Sequence, residues 1–350
     1  MRTALAKAAG HLKGNGARHL TTLAGMITGI VMSEKVQLPK LAGKIPDSVK
    51  ETSTEKRLYR WIKNEKITHE THFLPYIQPL LSAASREPLT LVIDGSTVGR
   101  NCVALMICLV HKQRALPIAW TVAKGKKGHF PEEMHVQLVQ EVQKFIPKDA
   151  DVIFLGDGEF DGTDLQSALD SRGWGYALRT SKTSVLTWEG HEFSFSDVAD
   201  HVKQGDCFEI PDALFTHRKY GPIQATTWWR EGCEEPIHLV TNLPSIDEAC
   251  RYYTERFKIE TFFSDQKSRG FNLHKSHISD PSRMSRLMIA ACLAYHWVVY
   301  LGSTAIKKGW NLIMHRTERC DLSLFQLGLR LFNHLVKLGR CVPVAIRLIE

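Results

Sequence analysis

Two short apolar runs, each ending on a glycine-flanked aspartate, constrain this chain most. Leu89-Thr90-Leu91-Val92-Ile93 leads into Asp94-Gly95-Ser96, and Asp151-Val152-Ile153-Phe154-Leu155 leads into Gly156-Asp157-Gly158-Glu159-Phe160. β-Branched, apolar runs of this length read as buried strands. A carboxylate at the end of such a strand, with glycine beside it, lies where an ion can approach the backbone. Asp-Gly is also a common turn pair, so each aspartate taken singly reads as a turn former rather than a ligand. Between and after them the pattern is regular. Residues 103–110 and 115–122 flank the polar break His111-Lys112-Gln113-Arg114, which predicts a hairpin after the first strand. Residues 131–145 read as a helix, with Pro131, Glu132 and Glu133 at its first turn. A helix at 163–172 and a strand at 175–179 follow the Asp157 strand. The order is three strands, a helix, a strand, a helix and a strand.

A third carboxylate comes with unusual neighbours. Tyr253, Arg256, Glu260 and Lys267 project at about 0°, 300°, 340° and 320° on an α-helix, a strip about 60° wide. A solvated helix usually alternates charge signs, and a core-facing strip is apolar. Ser245 and Glu248 offer a capping box at the start of this run, and Gly270 a stop after Lys267. The plain alternative is an amphipathic helix that packs Tyr253, Phe257 and Ile259. With Asp94 and Asp157, Glu260 completes three carboxylates, enough for two Mg²⁺ ions alongside water and phosphate oxygens. Glu159 and Asp161, close to Asp157, are possible substitutes for it.

This constellation resembles the DDE transposases of bacterial insertion sequences. More narrowly it is similar to the insertion-sequence-four family, whose signature Tyr-x2-Arg-x3-Glu-x6-Lys is matched at all four positions by Tyr253, Arg256, Glu260 and Lys267. The family's second block is partly matched by Asp157-Gly158-Glu159-Phe160, with the glycine one residue early, and its first block by the Asp94 strand end. The resemblance covers roughly residues 89–275. It implies an α/β fold, a ribonuclease-H-like mixed sheet with a β-rich insertion before the last catalytic helix. It implies cleavage of transposon ends and joining of 3′-hydroxyls to target DNA by two-metal phosphoryl transfer. Asp94 would bridge two Mg²⁺ ions, with Asp157 on one, Glu260 on the other, and Mn²⁺ as a substitute metal. Arg256 and Lys267 would contact phosphates, and Tyr253 would brace a phosphate or flipped nucleotide. Trp228 or Trp229 would stack on a flipped base, unless both simply pack in a sheet. The implied partners are double-stranded DNA, as transposon ends and as target, and a second copy of the chain in a homodimer or larger synaptic assembly. The implied location is the bacterial cytoplasm, at the nucleoid.

Charge is segregated along the 350 residues. Residues 1–70 carry 13 Lys and Arg against 6 Asp and Glu, residues 251–350 carry 16 against 7, and the middle carries 16 against 24. Two basic flanks around an acidic centre suit phosphate binding around a metal-requiring core. Residues 1–85 read as a helical DNA-end-binding domain. Its second long helix opens near Ser53, with Leu58, Trp61 and Ile62 on one side and Lys56, Arg57, Arg60 and Lys63 on the other. That basic side contacts DNA or is merely solvated. Residues 86–181 and 244–305 form the expected catalytic domain, 182–243 the β-rich insertion, and 306–350 a helical C-terminal segment. His129, near Lys124, Lys126 and Lys127, lies in a basic loop. The eight cysteines form no CxxC pair, which argues against a zinc site and for reduced thiols in a cytosol. Residues 287–301 are apolar but short for a bilayer and contain His296, so a buried helix and no membrane partner are expected. No G-x4-GK[ST] loop supports an NTP-dependent role. Two rivals share these features: a ribonuclease-H-like nuclease without strand transfer, and an inactive DNA-binding regulator derived from a transposon.

Overall fold

The computed structural model describes every residue except 11–13, 47, 126, 127, 129, 316–320 and 349–350. The basic loop of Lys126, Lys127 and His129 thus lies outside the described residues, as does Cys320. Among the described residues up to 84 the elements are all helices: α1 (Arg2–Ala9), α2 (Asn15–Ser33), α3 (Leu38–Ala42), α4 (Glu51–Lys63), α5 (His69–His72) and α6 (Leu74–Ala84). The i, i+3, i+4 spacing read from the sequence is what packs them. α2 buries Leu20, Leu23, Ile27, Ile30 and Val31, and α4 buries Leu58, Trp61 and Ile62.

Next come β1 (Leu89–Gly99), β2 (Cys102–His111), β3 (Arg114–Lys124), α7 (Glu132–Gln143), β4 (Val152–Gly156), α8 (Thr163–Asp170) and β5 (Gly175–Thr180). β1, β2 and β3 form an antiparallel meander, while β1, β4 and β5 are mutually parallel neighbours. The expected element order is present. Residues 182–243 supply β6 (Val185–Trp188), β7 (His191–Ser194), α9 (Phe195–Ala199), β8 (Cys207–Phe215), β9 (Tyr220–Trp228) and β10 (Ile237–Thr241). These strands do not make a sheet of their own. β10 pairs antiparallel with β5, and a single ten-stranded sheet runs β3-β2-β1-β4-β5-β10-β9-β8-β6-β7. The open edge of β5 needs a hydrogen-bonding partner, and β10, with Leu239 and Val240 fully buried, supplies it.

The chain then forms α10 (Ile246–Tyr253), a 3-10 turn (Thr254–Phe257), α11 (Lys258–Gln266), a short 3-10 turn (Leu273–Lys275), α12 (Pro281–Lys307), α13 (Asn311–Met314) and α14 (Leu324–Lys337). Among the described residues α12 alone is long and apolar enough to cross a membrane, yet 89% of its apolar window is buried inside the fold. Trp120 Nε1 donates to Ser285 Oγ at 3.0 Å, and His296 Nε2 lies 2.9 Å from the Pro117 carbonyl, which fixes α12 against β3.

α12 and α14 cross at Gly302 and Gly328, where an added Cβ would overlap the backbone carbonyls of Leu324 and Val298. Backbone cannot yield as a side chain does, so Gly328→Ala should lower the unfolding free energy by about 3 kcal/mol. Gly25→Ala in α2 would meet Ile45 at an ordinary 3.5 Å and should not destabilise. Urea denaturation of the two variants checks the contrast.

Candidate active site

Asp94 is inside a strand, not at its end. The hairpin with β2 carries β1 on to Gly99, and Asp94 faces Met106 across it. Against β4 the pairing stops earlier, at Val92 opposite Leu155. Carrying that parallel register two residues further brings Asp94 level with Asp157, just past the end of β4. Residues level on adjacent strands share a face of the sheet. Asp94 is 7% exposed, and its Oδ1 accepts the Gly95 N–H at 2.6 Å. A Cβ on Gly95 would press on Phe130 at 2.7 Å, so glycine lets that ring close over the strand.

Asp157 both turns the chain and faces the site. Its Oδ1 accepts the Glu159 N–H at 3.1 Å, and its carbonyl accepts the Phe160 N–H at 2.9 Å. The two possible substitutes are engaged elsewhere. Glu159 Oε1 accepts the Phe130 N–H at 2.7 Å, tying two loops together. Asp161 Oδ2 accepts from Thr180 Oγ1 at 2.6 Å, and burial raises its pKa above the usual carboxylate value despite that bond.

The segment carrying Glu260 departs from the expected continuous helix. α10 ends at Tyr253, the chain tightens into the 3-10 turn, and α11 ends at Gln266. Each tighter residue advances by about 120° rather than 100°, which eclipses Tyr253 and Arg256 and keeps Arg256 on the side of Glu260. Tyr253 is 1% exposed, and burial raises its phenol pKa. It therefore packs under Arg256, whose guanidinium lies 5.9 Å from its ring centre, and presents no surface to a nucleotide. Lys267 is no longer helical (φ −99, ψ −123) and lines a separate crevice with Ser96, Thr97 and Val98. The expected stop at Gly270 comes after the helix has already ended.

Arg256 organises what remains. It is 5% exposed, its Nη2 donates to Glu260 Oε1 at 2.8 Å, and its Nη1 lies 3.9 Å from Asp94 Oδ2. Burial alone would weaken its hold on the proton. Tyr253, Glu260 and Asp157 outweigh that and raise its pKa. Carboxylates from β1 and α11 thus pair with one guanidinium, and Asp157, at the end of β4, lines the same cavity as Arg256. The Glu260 side chain is 53% exposed, whereas that of Asp94 is 10% exposed.

All three acids are hard oxygen donors of the kind Mg²⁺ and Mn²⁺ take, and the guanidinium stands where positive charge is wanted. In this arrangement no three His, Cys, Asp or Glu side chains among the described residues are close enough together to hold a metal ion. By chemistry the donor set suits a divalent cation; the resting positions of the side chains do not form a site for one.

A cavity of about 670 Å³ adjoins the site, lined by Asp157 and Arg256 and by Arg179, Thr180, Ser181, Lys182 and His238 among others. None of these last five was singled out from the sequence. Arg179 and Thr180 end β5, beside β4, so the signal was the next parallel strand's end. Burial, with help from Arg179 and Lys182, lowers the His238 pKa to about 4, so the ring is neutral at physiological pH. Trp228 and Trp229 line no part of this cavity. Trp228 is paired within the sheet opposite Ile237, and Trp229 Nε1 donates to the Cys233 carbonyl at 2.9 Å. Both are half-buried packing residues.

The basic side of α4 also divides. Arg57 and Arg60 join Arg18 and His19 in a groove of about 390 Å³ between α2 and α4, whose lining holds no carboxylate. Lys63 turns over the Tyr59 ring at 4.6 Å instead, and Lys56 is exposed outside the groove.

Residues 90–297, more than half of the 350, match a family model described as the transposase DDE domain. No curated protein matches the chain. Among solved structures, one similar chain is in a cryo-EM structure of the piggyBac transposase synaptic complex with hairpin DNA. It has 11% identity, covers 95% of this chain and 77% of that one, and has a TM-score of 0.48. The catalytic domain of human endonuclease V has 13% identity, covers 69% of this chain and 97% of its own, and has a TM-score of 0.27.

Proposed function

The chain belongs to the transposase DDE domain family, and from that premise we propose that it cleaves the ends of an insertion sequence and joins their 3′-hydroxyls to target DNA. One observation supports this most: Asp94 and Glu260, from separate elements, meet at the buried Arg256, and Asp157 lines the same open cavity as that arginine. The antiparallel meander followed by two parallel strands supports the ribonuclease-H-like reading of the sheet. The four matched signature positions support the narrower insertion-sequence-four assignment.

Asp94, Asp157 and Glu260 would hold the divalent ions. When bound, Mg²⁺ or Mn²⁺ neutralises the reacting phosphate and makes a water or 3′-hydroxyl more nucleophilic. The protein's own part is placement. Asp94 and Asp157 are fixed by adjacent strands, and α11 brings Glu260 to them. Arg179 and Lys182 line the cavity where a phosphodiester approaches Asp157. The groove of Arg18, Arg57 and Arg60 grips duplex further along. Bringing two ends together requires two such sites, hence a homodimer or larger assembly, working in the cytoplasm beside the DNA.

Incubating the protein with a pre-cut end, a supercoiled plasmid and Mg²⁺ or Mn²⁺ tests the reading. Covalent joining of the end to the plasmid is expected. Hydrolysis without joining would leave only a nuclease. Arg57→Ala and Arg60→Ala should each weaken duplex binding uniformly across sequences and lower the salt slope by about 1. Fluorescence anisotropy over a salt series measures this, and an unchanged slope would remove the groove from the interface.

A further inference from the structure

We propose that Arg256 is a positioning residue that holds the charge of the three acids while DNA is absent, and releases them when a DNA phosphate takes its guanidinium. Metal and DNA would then load together. The inference rests on the assignment of Asp94, Asp157 and Glu260 as the metal-binding acids. In the sequence the same arginine reads as a phosphate contact; the structure gives it a different resting place.

Three observations carry the inference. Arg256 already pairs with Glu260 at 2.8 Å and lies 3.9 Å from Asp94, so an incoming dication competes with it for the same oxygens. Its guanidinium lies over the Phe257 ring at 4.4 Å and is 5% exposed, so it cannot be ignored as a mobile surface charge. Its Nε is buried without a hydrogen-bond partner, while the residue itself lines the cavity that holds Arg179 and Lys182. A guanidinium presents five N–H donors in a rigid fork that matches phosphate as well as carboxylate. A phosphodiester in that cavity gives the fork a second anion to face. Asp200 and Glu235 also line the cavity, so entry of the phosphate depends on Arg179 and Lys182 in the same lining.

The chemistry fixes the direction of coupling. A dication beside an undisplaced guanidinium suffers like-charge repulsion and finds Glu260 occupied. Removing the guanidinium, or drawing it to a phosphate, relieves both. Linkage makes this reciprocal: DNA must raise metal affinity by the factor by which metal raises DNA affinity.

Mn²⁺ titration of the full-length chain, with free ion read by electron paramagnetic resonance, tests this without turnover. DNA-free Arg256→Gln should bind Mn²⁺ at least about tenfold more tightly than wild type, a difference of about 1.4 kcal/mol. A duplex of arbitrary sequence at low salt should tighten Mn²⁺ binding to wild type by a clearly larger factor than to Arg256→Gln, where only the phosphate oxygens are gained. Equal affinities in wild type and variant would overturn the proposal while leaving the metal site standing. If Arg256→Gln does not fold, equal wild-type affinities with and without duplex overturn it. Mn²⁺ binding that survives Asp94→Asn would overturn the acid assignment, and the proposal with it.

Discussion

Asp94→Ala should reduce DNA strand cleavage by on the order of 10³-fold or more, while duplex binding stays within a few-fold of wild type. The asymmetry follows from where the charges lie. The acid is 7% exposed and level with Asp157, whereas the cationic groove of Arg18, Arg57 and Arg60 belongs to α2 and α4. Asp157→Ala and Glu260→Ala should behave alike. Glu159→Gln is the instructive contrast. That side chain accepts the Phe130 N–H, which a neutral amide oxygen also accepts, so cleavage should survive largely intact. Cleavage of an end-labelled duplex and gel-shift titration on the same preparations give both quantities. Robust cleavage by any of the three alanine variants would remove that residue from the reacting centre.

Asp265→Ala should lower stability at neutral pH by about 3–5 kcal/mol, because it strands a buried guanidinium. Asp265 on α11 is 2% exposed and lies 3.4 Å from Arg114 Nη1 at the start of β3. Burial pushes its pKa up to about 6, with Arg114 and Arg269 pulling only partly against it. The sign is therefore unusual for a paired carboxylate. The folded chain binds this proton more tightly than the unfolded chain, so stability falls as pH rises from about 4 to about 6. The loss from this group is on the order of 3 kcal/mol. Replacing both partners, Arg114→Met with Asp265→Leu, should be neutral or stabilising by about 1–4 kcal/mol and should flatten that pH window. Urea denaturation from pH 4 to pH 7 decides it; a wild type whose stability rises through this window would show that the pair compensates fully. Asp265 shares α11 with Glu260, so the alanine variant should also lose cleavage.

Local pattern carried much of this molecule. The helices of the first 84 residues, the β2–β3 hairpin and the strand ending before Asp157 all follow from spacing within about ten residues of themselves. Pairing across long separations does not. Nothing in Ile237–Thr241 names Gly175–Thr180 as its neighbour, so residues 182–243 read as an insertion apart from the sheet that they in fact extend. Tyr253 and Arg256 were misplaced for a different reason. A helical projection assumes uniform rotation and does not distinguish a charge turned inward, onto partners from other elements, from one turned out. The non-helical backbone at Lys267 departs from the first assumption, and the burial of Tyr253 with Arg256 turned onto Asp94 defeats the second. Arg179 and Lys182 look like ordinary polar residues at a strand end until the neighbouring strand shows what they stand beside.

The joining of β10 to β5 has a mechanical consequence. Where an insertion hangs on two flexible tethers, a push at its tip dissipates in the hinge. Here the far strands are planks of the same deck, so a load at the β6–β7 rim reaches β4, and Asp157 just past its end, through the hydrogen-bonded ladders of β8, β9, β10 and β5. A rigid probe fixed at that rim would report the tilt of the catalytic floor itself.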